Sequence, residues 1–225
     1  MAVAFDTCNS LNGTGTSITV SLTLGGSANL LIAFVAIDSS SDFNPTATWN
    51  GVSMGARVNE IATGRYACWF KLASPDTGTH DLVISSLPSG GEEHAIGISF
   101  SGVDTASPTD AAQETSVAAG GAAEQQTNSS AVGDMVVSFI VHDSGVTPTV
   151  DSANDDPAMT IPANGAITNA ALSSGVSYQA GQASVVSAWA SLNGKQTMYS
   201  ININAGAGGG GSTYKPRRAT LLGVG

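Results

Sequence analysis

The chain has 225 residues, 42% hydrophobic and only 11% charged, and its 17 acidic against 7 basic side chains give a formal net charge of −10. That length suffices for one sizeable core, and so acidic a body disfavours nucleic acid and anionic lipid as partners, because phosphates are neutralised by clustered Lys and Arg. The longest apolar run, residues 30–37, is far shorter than the roughly 20 residues that span a bilayer, so no membrane crossing is expected.

Glycine, at 27 residues, exceeds the ~7% typical of soluble chains, which predicts a turn-rich globular fold. The opening Met1-Ala-Val-Ala-Phe-Asp6 has neither the basic start nor the apolar stretch of a secretory signal, so the cytoplasm is the expected site of assembly.

In chain order, Ile18, Val20, Leu22 and Leu24 alternate with Thr19, Ser21 and Thr23, the period of a strand with one buried face. Residues 30–37 are apolar on both sides of the pleat, as a central strand requires. Asn50-Gly51, between 47–49 and 52–54, predicts a hairpin, since both residues tolerate the positive φ of tight turns. Residues 82–84 and 95–100 read as further strands. The alanine-containing stretches 111–123 and 166–172 are broken by Gly, Ser and Asn and carry no apolar stripe at helical spacing. Residues 135–141 predict a second central strand and 198–203 a last one. Asn193-Gly194 predicts a second hairpin, and Asn12-Gly13 and Asn164-Gly165 further turns. The fold class is therefore all-β, an antiparallel sandwich or barrel.

Two internal echoes bear on its origin. Asn29-Leu-Leu-Ile-Ala-Phe-Val-Ala-Ile-Asp38-Ser39 aligns without gaps to Asp134-Met-Val-Val-Ser-Phe-Ile-Val-His-Asp143-Ser144, and Trp69-Phe-Lys-Leu72 resembles Trp189-Ala-Ser-Leu192. An ancient duplication and the common grammar of central strands both account for them.

The body, residues 1–204, is followed by a Gly-rich linker, 205–212, and a tail, 213–225. Charge divides between them, with a net −13 on the body and +3 beyond it. Tyr214, Lys215, Arg217, Arg218, Leu221 and Leu222 form a basic and apolar end suited to attachment.

Chemistry is sparse. His80, His94 and His142 show no metal-ligand spacing, and the chain carries no nucleotide-binding loop, so no cofactor or metal is expected. His80-Asp81 and His142-Asp143 lack a nucleophile elbow. Glu92-Glu93 and Asp155-Asp156 lie in loop-like contexts where solvation accounts for them, and Asp38/Asp42 and Asp151/Asp155/Asp156 match no calcium loop. Cys8 and Cys68 are expected to be reduced and buried, and Trp49, Trp69 and Trp189 to be core residues.

Three segments carry a resemblance: Thr48-Trp-Asn-Gly-Val-Ser-Met54, then Leu72-Ala-Ser-Pro-Asp-Thr-Gly-Thr-His80, and Ile98-Ser-Phe-Ser-Gly-Val-Asp104 followed by Ser107-Pro108. Together they resemble a jelly-roll-like β-sandwich found in tailed-phage virion proteins, clearly over residues 3–110 and diffusely over 130–204. The resemblance implies a single-domain, non-enzymatic structural protein of a bacteriophage particle, assembled in the host cytoplasm and decorating the capsid. Its implied partners are the major capsid protein or another virion protein and further copies of itself, as an oligomer such as a trimer. An alternative is a carbohydrate- or receptor-binding module of a tail or head fibre, using Tyr66, Trp69 or Tyr178.

Overall fold

The computed structural model describes residues 1–39, 43–62, 66–117, 123–190 and 194–206. Sixteen strands occur in chain order: β1 (Ala4–Gly13), β2 (Ser17–Leu24), β3 (Ala28–Ile37), β4 (Thr46–Trp49), β5 (Val52–Ser53), β6 (Val58–Ala62), β7 (Tyr66–Ala73), β8 (Gly78–Ser85), β9 (Glu93–Ser101), β10 (Gln113–Val117), β11 (Glu124–Asn128), β12 (Met135–His142), β13 (Ala166–Thr168), β14 (Ser173–Ala180), β15 (Val185–Trp189) and β16 (Gln196–Ile203). The strand pairs are antiparallel, and no helix forms among the described residues. The all-β sandwich expected from the sequence is thus present, and it is present twice.

The sheets stack in four layers. The two inner sheets, in the orders β1-β9-β3-β7-β6 and β10-β16-β12-β14-β13, face each other. Their shared core takes alternate residues of each strand, including Leu30, Ile32 and Phe34 from β3 against Val137, Phe139 and Val141 from β12. Behind the first inner sheet lies β2-β8-β4-β5, and behind the second lies β11-β15. Because successive side chains of a strand point to opposite faces, Leu31, Ala33, Val35 and Ile37 of β3 supply the first outer core. Ile140 of β12 serves the second in the same way.

The two inner sheets repeat one plan. β3 and β12 are the central strands, flanked by β9 and β7 or by β16 and β14. Register agrees residue for residue, with Leu30 opposite Ala73 and Ile37 opposite Glu93 in one sheet, and Met135 opposite Ala180 and His142 opposite Gln196 in the other. The 29–39 and 134–144 echo therefore marks a structural repeat. Its equivalent residues Phe34 and Phe139 stack with ring centroids 4.6 Å apart. Like-on-like contact is what a two-fold relation between halves produces.

The tryptophan echo does not follow this repeat. Trp69 lies in β7 and Trp189 in β15, and the counterpart of β7 is β14. The hairpin expected at Asn193-Gly194 is not formed by its flanking strands, because β15 pairs with β11 while β16 pairs with β10 and β12 in the inner sheet. Asn193 itself is outside the described residues. The Asn50-Gly51 hairpin does form, with φ of 48° and 76° joining β4 to β5.

Candidate functional site

Two of the segments that carry the resemblance, 48–54 and 72–80, meet at one outer corner, while the third, 98–104, ends β9 and passes beside Ala2 and Ala205. The Trp49 indole is fully buried and donates from Nε1 to the Asp76 carbonyl at 2.8 Å, and Asn50 Nδ2 donates to Asp76 Oδ2 at 3.0 Å. His80 meets the Trp49 ring edge-on, with centroids 5.5 Å apart. At Gly102 (φ 73°) a Cβ would fall 2.2 Å from the Ala2 carbonyl oxygen, so only glycine lets the N-terminal segment pass. A shallow groove of about 400 Å³ beside the hairpin is lined by Asn50, Gly51, Thr79, His80, Asp81 and Val83.

All three tryptophans are core residues. Tyr66 and Trp69 are likewise buried and offer no sugar-stacking face, while Tyr178 is half-buried and stacked on Phe5 at 4.7 Å. Cys8 and Cys68 are buried, in the cores on opposite faces of the first inner sheet. Burial pushes the Cys8 thiol up to about 12.

His142 and its neighbour Asp143 contact different groups. His142 Nδ1 lies 2.9 Å from Ser144 Oγ, whereas Asp143 accepts from the Lys195 backbone N–H at 2.6 Å. His80 contacts the Thr77 carbonyl. His94, fully buried between the inner sheets, has Nδ1 2.8 Å from Ser174 Oγ, and burial pulls its pKa down to about 4, so the ring is neutral.

Of the acidic pairs, Glu92, Asp155 and Asp156 lie outside the strands as expected, and Glu93 alone departs. Asp151 caps its own turn through Ala153 N–H and Asn154 Nδ2, and Asp155 accepts from Met159 N–H, while Asp42 is outside the described residues. Glu92 accepts from Ala171 N–H. Glu93 corrects the expectation of a solvated loop: it opens β9, is fully buried, and neither carboxylate oxygen has a partner. Desolvation raises its pKa to about 7. Sequence patterning could not single it out, because a Glu at a strand end normally reaches water.

A polar corner lies where β16 ends. Asn202 and Asn204 flank Ile203, and Asp110 and Asp134 converge on them. The Val103–Ala205 bridge, Ala205 N–H to Asp134 Oδ1 at 2.8 Å, Gly206 N–H to the Gly102 carbonyl at 2.8 Å, and the Met1 amino group to the Gly206 carbonyl at 2.8 Å fix the chain where it leaves the body. Asp104 joins through its N–H to the Asn204 carbonyl. A cleft of about 300 Å³ lined by Asp110, Thr127, Asn128 and Asn202 opens beside this corner. The attachment residues Tyr214, Lys215, Arg217, Arg218, Leu221 and Leu222 lie outside the described residues.

Among the described residues, no group of three or more His, Cys, Asp and Glu converges on a metal position, and no helix is long and apolar enough to cross a membrane. No family model, curated protein or solved structure matches the chain.

Proposed function

We propose that the chain is a non-enzymatic structural protein of a tailed-phage particle, a β-sandwich that decorates and stabilises the capsid. The observation that carries the reading is the fixed exit of the chain at Gly206, on a corner bearing Asp104, Asp110 and Asp134. A basic tail covalently rooted at this point is held near the body at high effective concentration, so weak contacts to an acidic or apolar patch of the major capsid protein, or of a neighbouring copy, hold in an array. The resemblance motifs support the same reading, with two of them packed together around Trp49. The interleaving of β1-β9-β3-β7 with β2-β8-β4-β5 supports its jelly-roll-like character.

Electron cryo-microscopy of particles from the encoding phage or prophage tests this directly. Density for the four-layer body on the shell, lost when residues 206–225 are deleted, is the expected result. Undiminished occupancy without those residues removes the attachment role, and absence of the protein from particles removes the reading as a whole.

A further inference from the structure

The chain carries four Asn-Gly pairs, at 12–13, 50–51, 164–165 and 193–194. In such a pair the glycine backbone nitrogen can attack the asparagine Cγ, because a residue without a side chain leaves that nitrogen unshielded. The fold ranks the three pairs that lie within the described residues. Asn12-Gly13 is held in the β1–β9 ladder opposite His94 and Glu93, and a Cβ at Gly13 would fall 3.0 Å from Ile18. Asn164-Gly165 has its attacking nitrogen engaged: Gly165 is buried, its N–H donates to the Pro162 carbonyl at 2.9 Å, and its carbonyl accepts from the Val176 N–H at 2.7 Å. Ring closure at either place first requires those contacts to open.

Asn50-Gly51 is placed otherwise. Both residues are exposed and form the two-residue loop of the β4–β5 hairpin, whose ends are the paired Trp49 and Val52. The Asn50 N–H donates to the Asp81 carbonyl at 3.1 Å, whereas the Gly51 N–H meets no acceptor among the described residues. No atom lies within 4 Å of where a Gly51 Cβ would stand, so the loop has room to swing this nitrogen toward the amide carbon. The Asn50 amide also has a structural duty. Its Nδ2 donates to Asp76 Oδ2 at 3.0 Å, next to the 2.8 Å bond from Trp49 Nε1 to the Asp76 carbonyl.

We propose that Asn50 is a site of spontaneous deamidation, and that the corner around Trp49 loosens as it reacts. The Gly51 nitrogen gives its proton to solvent base and bonds to Asn50 Cγ. The Cγ–Nδ2 bond breaks, and Nδ2 takes a proton from water and leaves as ammonia, closing a succinimide ring. Water then opens the ring at either carbonyl and leaves an aspartate or an isoaspartate at position 50. Either product unties the corner. A carboxylate in place of the amide removes the donor that Asp76 Oδ2 accepts and sets a second negative charge beside it. An isoaspartate also adds a carbon to the main chain, which a two-residue loop cannot take up without disturbing the pairing of its strands. The groove beside the hairpin, already lined by Asp81, gains the new charge. This inference does not depend on the virion reading.

The test is to hold the purified full chain in mildly alkaline buffer and to follow its Asn-Gly peptides by mass spectrometry, with the urea-unfolded chain as reference. In the folded chain, conversion at Asn50 is expected to run roughly tenfold or more ahead of Asn12 and Asn164, because each ~1.36 kcal/mol of opening that those two require slows them tenfold. In urea the three rates are expected to converge. Isoaspartate is expected together with aspartate at position 50, since a succinimide opens both ways. Asn50→Asp, made directly, keeps the turn, because aspartate also tolerates positive φ. It is expected to melt below the unaltered chain, and adding Asp76→Asn to it is expected to recover the loss. Equal rates at the three sites of the folded chain, or a rate at Asn50 below either of the others, overturns the proposal. Aspartate without isoaspartate overturns the succinimide route, and unchanged melting of Asn50→Asp overturns the loosening of the corner.

Discussion

The two outer layers share a plan and differ in what they bury. Behind the first inner sheet the core joins 19 buried residues, nearly all aliphatic or aromatic, among them Ile18, Val20, Leu22, Leu31, Trp49, Phe70, Leu82 and Ile84. Behind the second, among the described residues, Ile140, Met159, Trp189 and Met198 form the buried apolar cluster. Around them runs a hydrogen-bonded network. Trp189 Nε1 donates to Ser138 Oγ at 2.8 Å, Gln179 Nε2 to Ser187 Oγ at 3.1 Å, and Ser200 Oγ lies 3.2 Å from Ser187 and bonds Asn128 Oδ1. Ser177 Oγ and Gln179 Oε1 lack partners altogether. The face shared by the two halves is mainly apolar, with His94 and Ser174 as a hydrogen-bonded pair within it. An outer face can exchange non-directional burial for directional bonds, at the cost that each unpaired group weakens it.

That contrast can be broken at three places. The largest effect is expected at the shared face. Phe139→Ala should destabilise the chain by about 3–5 kcal/mol, and Phe34→Ala by a similar amount, with the double variant well short of the sum because the two rings contact each other. Urea unfolding of the three variants measures this, and full additivity would contradict the stacked arrangement. A middle-sized effect is expected in the polar layer. Ser138→Ala strands the buried Trp189 N–H and should cost about 1–3 kcal/mol, with amide exchange quickening first in β11 and β15. Exchange that quickens instead in β2 and β8 would reverse the ranking of the two layers.

A third effect, one that varies with pH, concerns Glu93, whose register counterpart in the second half is the neutral Gln196. Its folded-state pKa is raised to about 7 from 4.5, so the folded chain holds the proton more tightly than the unfolded one. Stability from this group is fully present below pH 4.5, falls as pH rises toward 7 and is level above it. Glu93→Gln should remove that slope, and stability curves collected across pH 4–8 are the check. A slope unchanged in the variant would assign it to other groups.

Much of the fold was legible in the sequence because its signals were local. The alternation of 18–24 gave β2 with its buried and exposed residues in the expected order, and the two apolar runs gave β3 and β12 at the centres of their sheets. Asn50-Gly51 gave its hairpin because the turn chemistry is complete within four residues. Asn193-Gly194 misled for the same reason: turn chemistry does not report whether the flanking strands stay in one layer. Strand β13 (Ala166–Thr168) and strand β10 (Gln113–Val117) hid in alanine-containing stretches, since short edge strands need little apolar patterning. The polar corner was illegible for a deeper reason. Asp110, Asp134, Asn202 and Asn204 come together only through the pairing of three separated segments, and no spacing along the chain encodes that meeting.

The stacked Phe34–Phe139 contact also bears on how the chain comes into being. The first half is complete in sequence once Ser101 has been made, yet Leu30, Ile32, Phe34, Ile96 and Ile98 wait for β12, β14 and β16 to cover them. At about 5–20 residues per second, the remaining strands take roughly 5–20 s to emerge from the ribosome. During that interval the nascent first half carries an uncovered apolar sheet whose natural complement is a near-copy of itself. On a polysome the nearest near-copy belongs to the neighbouring nascent chain, so correct assembly depends on the second half of the same chain arriving before that neighbour does.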